Sequence, residues 1–163
     1  MTVTRLIARP MLASMFVVGS INALKNSKAH AEKAAPLTER LVPLLQRVAP
    51  SMPTDPVALV RLNAAVQLGA AAALATGHLP RISSAVLAGS LVPTTLAGHS
   101  FWNETDPSAK AMQRVQFFKN VSMLGGLIIA AGDTAGRPGL AWRARRAAHD
   151  VRREAKLIRA QHS

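Results

Sequence analysis

Residues 57–77 read VALVRLNAAVQLGAAAALATG, twenty-one positions in which Arg61 is the only charge. At 1.5 Å per residue such a run is about 30 Å long, the thickness of a bilayer's hydrocarbon core. Short apolar side chains sustained over that length predict a membrane-crossing helix. Ala65, Gly69, Ala73 and Gly77 stand four residues apart. They form a ridge of small side chains that would let a second helix backbone approach closely.

Three further stretches share this character. Residues 6–24 hold Arg9 as their only charge, residues 82–98 hold none, and residues 115–132 hold only Lys119. The expectation is an all-α, integral membrane four-helix bundle with spans at 6–24, 57–77, 82–98 and 115–132. A secretory signal peptide would use Arg5 and Arg9 as its charged region. Ile21 and Ala23 make a poor cleavage pair, because small residues are wanted at both places, so the stretch reads as a retained span. Gly125-Gly126 would weaken a helix in water but suits close helix packing.

Composition agrees. Of 163 residues, 49% are hydrophobic, yet only 4% are aromatic and tyrosine is absent, a poor recipe for a large soluble core. The length is one domain's worth of chain. The formal charge of +12 calls for nucleic acid, anionic lipid or an acidic protein as counterpart. Because the charges flank apolar stretches, lipid head groups come first. Cysteine is absent, which excludes disulfides, thiolate metal sites and a thiol relay carried by this chain.

The connections differ from the spans. Residues 25–56 form a polar outer loop punctuated by Pro36, Pro43, Pro50, Pro53 and Pro56. Within it Leu37, Leu41, Leu44, Leu45 and Val48 recur at helical spacing, which predicts a short amphipathic piece on the membrane surface, capped or kinked by Pro43. Residues 133–163 form a basic tail: Arg137, Arg143, Arg145, Arg146, Arg152, Arg153, Lys156 and Arg159 stand against Asp133, Asp150 and Glu154. Leu140, Ala144, Ala147, Val151, Ala155 and Ile158 step by three or four. The tail is therefore expected to be an amphipathic helix on an anionic membrane surface. It lacks a finger, a nucleic-acid-binding loop or a stacking platform beyond Trp142, which argues against nucleic acid.

Four spans put both ends on one side. Arg5, Arg9, Arg81 and the eight tail residues make eleven basic residues there, against nine on the other: Lys25, Lys28, Lys33, Arg40, Arg47, Arg61, Lys110, Arg114 and Lys119. Glu32, Glu39, Asp55, Glu104 and Asp106 dilute that second side. The expectation is a multi-pass cell-membrane protein with both termini cytoplasmic.

With those directions, nearly every polar residue of the spans gathers at the outer end. Asn22, Arg61, Asn63, Gln67, His99, Trp102, Lys119 and Asn120 would meet there, with Gln116 beside them and Arg9 as the exception. Charges in hydrocarbon cost about 2.5–3.5 kcal/mol each on insertion scales, so these groups should face one another or water. Two readings stand. One is a polar cup, closed below by Ala, Leu and Ile, that would hold the head of a quinone, a lipid or a small anion. The other is interfacial snorkelling with helix-to-helix hydrogen bonds that only hold the bundle together. No catalytic triad, phosphate-cradling loop or metal spacing stands out. His78 and His99 lie at opposite ends of the third span, too far apart to ligate one haem.

The stretch Arg9-Pro10-Met11-Leu12-Ala13-Ser14-Met15-Phe16-Val17-Val18-Gly19 with Lys25 resembles the opening of the DoxX family. Residues 93–102, PTTLAGHSFW, followed by Phe118-Lys119-Asn120-Val121 and Gly125-Gly126, are similar to that family's second half. The resemblance covers residues 5–132, and the basic tail is similar to an extension seen on actinobacterial members. It implies a four-helix membrane protein tied to quinol oxidase or thiosulfate:quinone oxidoreductase subunits, or an anchor for soluble redox and stress-response enzymes. The positions matching its motif are Arg9, Gly19, Lys25, His99, Trp102, Lys119 and Asn120, and the resemblance carries no catalytic residue across to them. The functional expectation is an accessory subunit of a redox-linked or oxidative-stress assembly. The alternatives are a quinone- or quinol-binding subunit and a carrier or chaperone for a lipid or another membrane protein.

Overall fold

The computed structural model describes residues 3–134, 142, 145–151 and 153. Each apolar stretch becomes a helix: α1 (Val3–Lys25), α3 (Pro56–Thr76), α4 (Pro80–Gly98) and α5 (Pro107–Gly132). Between α1 and α3 lies α2 (Ser27–Val48), and a 3₁₀ turn, Phe101–Asn103, precedes α5.

Local chemistry sets the ends. The Asp55 carboxylate accepts the Ala58 N–H at 2.8 Å and Pro56 opens α3, a side-chain cap followed by proline at the first helical position. At the other end Gly77 takes a left-handed conformation, φ 76°. Its N–H reaches the Leu74 carbonyl at 3.1 Å and the His78 N–H reaches Ala73 at 2.8 Å, the paired bonds of a Schellman motif. Leu79 follows, also left-handed at φ 44°, and turns the chain into α4.

That turn makes α3 and α4 an antiparallel hairpin, visible in its register: Asn63 pairs with Thr94 while Gln67, one turn on, pairs with Ser90. Likewise α4 and α5 run antiparallel, with His99 against Gln113, Thr95 against Asn120, and the Arg81 Nε donating to the Ala131 carbonyl at 3.0 Å. The core is small: Ala13 and Phe16 of α1, Ala71 and Leu74 of α3, Leu87 and Leu91 of α4, and Leu127 of α5. These residues recur every three or four positions, one stripe per helix.

The small-residue ridge does not serve this core. The buried stripe of α3 is Ala64, Gln67, Ala71 and Leu74, so Ala65 and Gly69 face outward. A Cβ added at Gly69 would meet nothing within 4 Å. Of the glycine pair in α5, Gly126 packs against α1, where the Leu12 Cδ1 would stand 3.5 Å from an added Cβ, whereas Gly125 faces open space.

The loop expectation for residues 25–56 needs correction as well. The short surface piece is a helix of 22 residues that starts one residue after α1 ends. Pro36 and Pro43 lie inside it, both on its exposed side. Each removes one backbone donor, so the Glu32 and Glu39 carbonyls lose their intrahelical partner on the face that has other partners available. Asn26, the single joint residue, donates from Nδ2 to the Asn22 Oδ1 at 2.7 Å, and the Asn22 Nδ2 lies 3.4 Å from the His30 Nε2.

Three helices, α1, α3 and α5, are long and apolar enough to cross a membrane. Only 11% to 22% of their most apolar windows is buried within the protein. Large apolar side chains such as Val3, Met11, Val115 and Ile129 stand at least two-thirds exposed, a surface that suits lipid rather than water. Ser83, Ser84, Ser90, Thr94 and Thr95 place five hydroxyls along α4.

The chain divides into two compact units, Met1–Gly132 and Asp133–Ser163. In the second, residues 145–151 are helical and exposed, and the Arg146 guanidinium stacks 5.1 Å from the Trp142 ring centre. Of the apolar face expected there, Ala147 and Val151 are described and exposed. Leu140, Ala144, Ala155 and Ile158 lie outside the described residues.

Candidate functional site

At the end of the bundle where α1 stops and α5 starts, the helices part around a cavity of about 780 Å³. Its walls come from α1 (Met15, Phe16, Gly19, Asn22), α3 (Leu59, Asn63, Val66, Gln67), α4 (Ser90, Leu91, Thr94) and α5 (Lys119, Asn120, Met123). One face of α2 covers it, with His30, Lys33, Ala34, Leu37, Thr38, Leu41 and Leu45 at helical spacing. The opposite face of α2 carries Lys28, Glu32, Glu39, Arg40 and Arg47, all exposed. The binary pattern of this helix thus places its apolar stripe over the cavity and its charges outside.

Six of the eight residues expected at a polar cup line this one cavity: Asn22, Asn63, Gln67, His99, Lys119 and Asn120. Arg61 and Trp102 do not. The Arg61 Nε donates to the Ser27 Oγ at 3.1 Å and ties α3 to the start of α2. Trp102 is half-exposed and joins an edge-to-face ring cluster, 5.2 Å from Phe101 and 5.8 Å from Phe117 between ring centres. Arginine and tryptophan carry the longest and bulkiest side chains of the eight, and a position at a helix end lets each turn away from the axis. Met15, Phe16, Leu91 and Met123 are among the apolar residues that line the cavity.

The amides are not idle in the cavity wall. The Gln67 Nε2 donates to the Ser90 Oγ and the Thr94 Oγ1, both at 3.2 Å, and the Asn63 Nδ2 reaches the same Thr94 Oγ1 at 3.3 Å. From α5 the Asn120 Nδ2 donates to the Thr95 Oγ1 at 3.0 Å. The hydroxyls in turn donate to carbonyls of their own helix: Ser90 to Leu87, Thr94 to Ser90 and Thr95 to Leu91. This network stitches α3, α4 and α5 together and satisfies donors that lipid would leave stranded. The His99 Nδ1 lies 2.7 Å from the Gln113 Oε1, so Nδ1 carries the hydrogen and, in the neutral ring, Nε2 is left as an acceptor.

Sequence reasoning missed His30, Lys33, Ser90, Thr94 and Gln113 as lining residues. Ser90 and Thr94, one turn apart in the outer half of the third span, carried a usable signal: their spacing puts two hydroxyls on one face. Nothing comparable marked His30 and Lys33, because the amphipathic piece expected from the leucines began only at Leu37.

Lys33 and Lys119 bring two positive charges to the wall, and the described lining residues include no Asp or Glu. Among the described residues no group of three or more His, Asp or Glu stands together to hold a metal ion.

A family model described as DoxX matches residues 4–100, the stretch from α1 through α4. No curated protein and no solved structure matches the chain. The match covers more than half of the 163 residues; together with three helices apolar enough to cross a bilayer, it makes this chain a membrane protein of the DoxX family.

Proposed function

We propose that this chain is an accessory membrane subunit of a redox-linked or oxidative-stress assembly, in which the cavity beneath α2 holds an amphiphile. One observation carries the reading. Side chains from α1, α3, α4 and α5 that lie far apart in sequence converge on a single space lined by both apolar and polar groups. A volume of about 780 Å³ falls in the range of pockets that hold one small molecule.

In this reading α4 crosses the membrane beside α3 and α5, with Ser90, Thr94 and Thr95 bonded to the amides facing them, and the bundle makes four passes. Both termini are cytoplasmic and the cavity opens toward the outer leaflet. The basic tail lies on the cytoplasmic surface, where its arginines meet anionic lipid head groups or an acidic soluble partner while Trp142 sits at the interface. The test is mass spectrometry of the full chain released gently from membranes. A retained small amphiphile is expected in the wild type and is diminished in Leu41→Trp, which narrows the cavity. Removal of residues 133–163 is expected to release a co-purifying soluble partner. A wild-type protein with neither ligand nor partner overturns the proposal.

A second reading makes the amphiphile a quinone and the chain a quinone-binding oxidoreductase subunit. The donor set fits such a head: Lys119 and Lys33 can donate to ring carbonyls, and the His99 Nε2 can accept a proton. A bound quinone would supply two-electron carrier chemistry. The chain would orient the ring and move the proton at His99, whose tautomer Gln113 fixes. His99→Ala is then expected to abolish activity while leaving the fold intact, and an unchanged turnover eliminates this reading.

A further inference from the structure

Charge is distributed unevenly around the cavity. Lys33 reaches its wall from α2 and Lys119 from α5, and both side chains are also exposed. Neither has a hydrogen-bond or ion-pair partner among the described residues. The acids nearby in sequence are held elsewhere. Glu32 and Glu39 are exposed and outside the lining, Asp55 caps α3, and Asp106 caps α5 by accepting the Ala109 N–H at 2.7 Å. The neutral donors of the wall, Asn63, Gln67 and Asn120, are directed at hydroxyls of α4. The charged donors that line the cavity are this pair of ammonium groups, beside the apolar Met15, Phe16, Leu91 and Met123. A neutral head would offer neither ammonium a counter-charge. An acidic head would meet charge-assisted hydrogen bonds.

We propose that the ligand of this cavity is an anionic single-chain amphiphile, its carboxylate or phosphate head held between Lys33 and Lys119 and its chain on Met15, Phe16, Leu91 and Met123. This rests on the reading above that the cavity holds an amphiphile, and adds the chemical class of its head.

The experiment uses the full chain in nanodiscs of zwitterionic lipid and compares four probes: oleate, oleoyl lysophosphatidic acid, monoolein and decylubiquinone. One acid or both should bind about tenfold or more tightly than monoolein, the difference expected when a charged hydrogen-bonding pair is gained. Which acid binds better separates a carboxylate ligand from a phosphate one. In the Lys33→Gln/Lys119→Gln double variant that preference should fall to within about twofold while monoolein binding is unchanged. Raising salt from about 0.05 to 0.5 M should weaken the acids alone, a check that needs no variant. Monoolein or decylubiquinone binding as tightly as both acids overturns the charge proposal and leaves the amphiphile cavity standing. A preference that survives both the double variant and salt does the same. Binding of none of the four, or binding undiminished in Leu41→Trp, overturns both.

Discussion

Gln67 lies buried in the middle of α3 with both amide hydrogens directed at α4. Because Ser90 and Thr94 keep their own backbone acceptors, removing the amide leaves no hydroxyl stranded. Gln67→Met should therefore destabilise the bundle only modestly, by about 0.6 kcal/mol and at most about 1.7, as is typical of single hydrogen bonds between membrane helices. Reversible unfolding in mixed micelles measures it. Gly77→Ala should cost about 1 kcal/mol by the same assay, since φ 76° brings an added Cβ against the following carbonyl. At this scale the sequence was partly legible. Asn63, Gln67 and Asn120 could be grouped together because span directions alternate. Their partners could not, because a serine or threonine in a membrane helix satisfies itself on its own backbone and leaves no trace in hydropathy. Arg61 and Trp102 were misplaced for the reason that long side chains at helix ends choose their direction by packing.

The helices themselves were read well wherever an apolar run and a cap coincide. Residues 57–77 end on Gly77, where the left-handed cap closes α3, and the first three spans fall within a few residues of α1, α3 and α4. The fourth begins earlier than its hydropathy, at Pro107, because Asp106 caps α5 well before the charge-poor stretch. The Ser108 hydroxyl and then the Ala109 N–H hold the Asp106 carboxyl below its ordinary value of 3.8. A depressed carboxyl contributes stability that is fully present above its unfolded value and disappears as pH falls through the lower folded one. Hydrogen exchange at the first turn of α5 should therefore speed up as pH is lowered below about 4 in the wild type, relative to the intrinsic rate, and show a weaker dependence in Asp106→Asn. At α2 a short helical piece was expected and a helix of 22 residues stands. Two prolines and many charges look like a loop, yet a proline on the outer side of a helix removes a bond where water or a head group can replace it.

For the molecule as a whole, composition pointed to lipid before any motif did, and the outward Val, Ile and Leu side chains give that reading its surface. The four passes and their direction rest on finer ground, and the absence of cysteine makes them measurable. Single cysteines at His78 and Glu104 flank α4 at its two ends. A membrane-impermeant maleimide applied to whole cells should label Glu104→Cys and spare His78→Cys until the membrane is opened. Equal labelling of both would leave α4 on one side. The joint at Asn26 has a consequence of its own. One residue separates α1 from the helix that covers the cavity, and the Asn22–Asn26 and Asn22–His30 contacts brace that elbow. A thinner host bilayer makes a long apolar helix lean, and a leaning α1 carries its rigid forearm along. Acyl-chain length in the surrounding lipid would then tune how readily the chamber admits a guest.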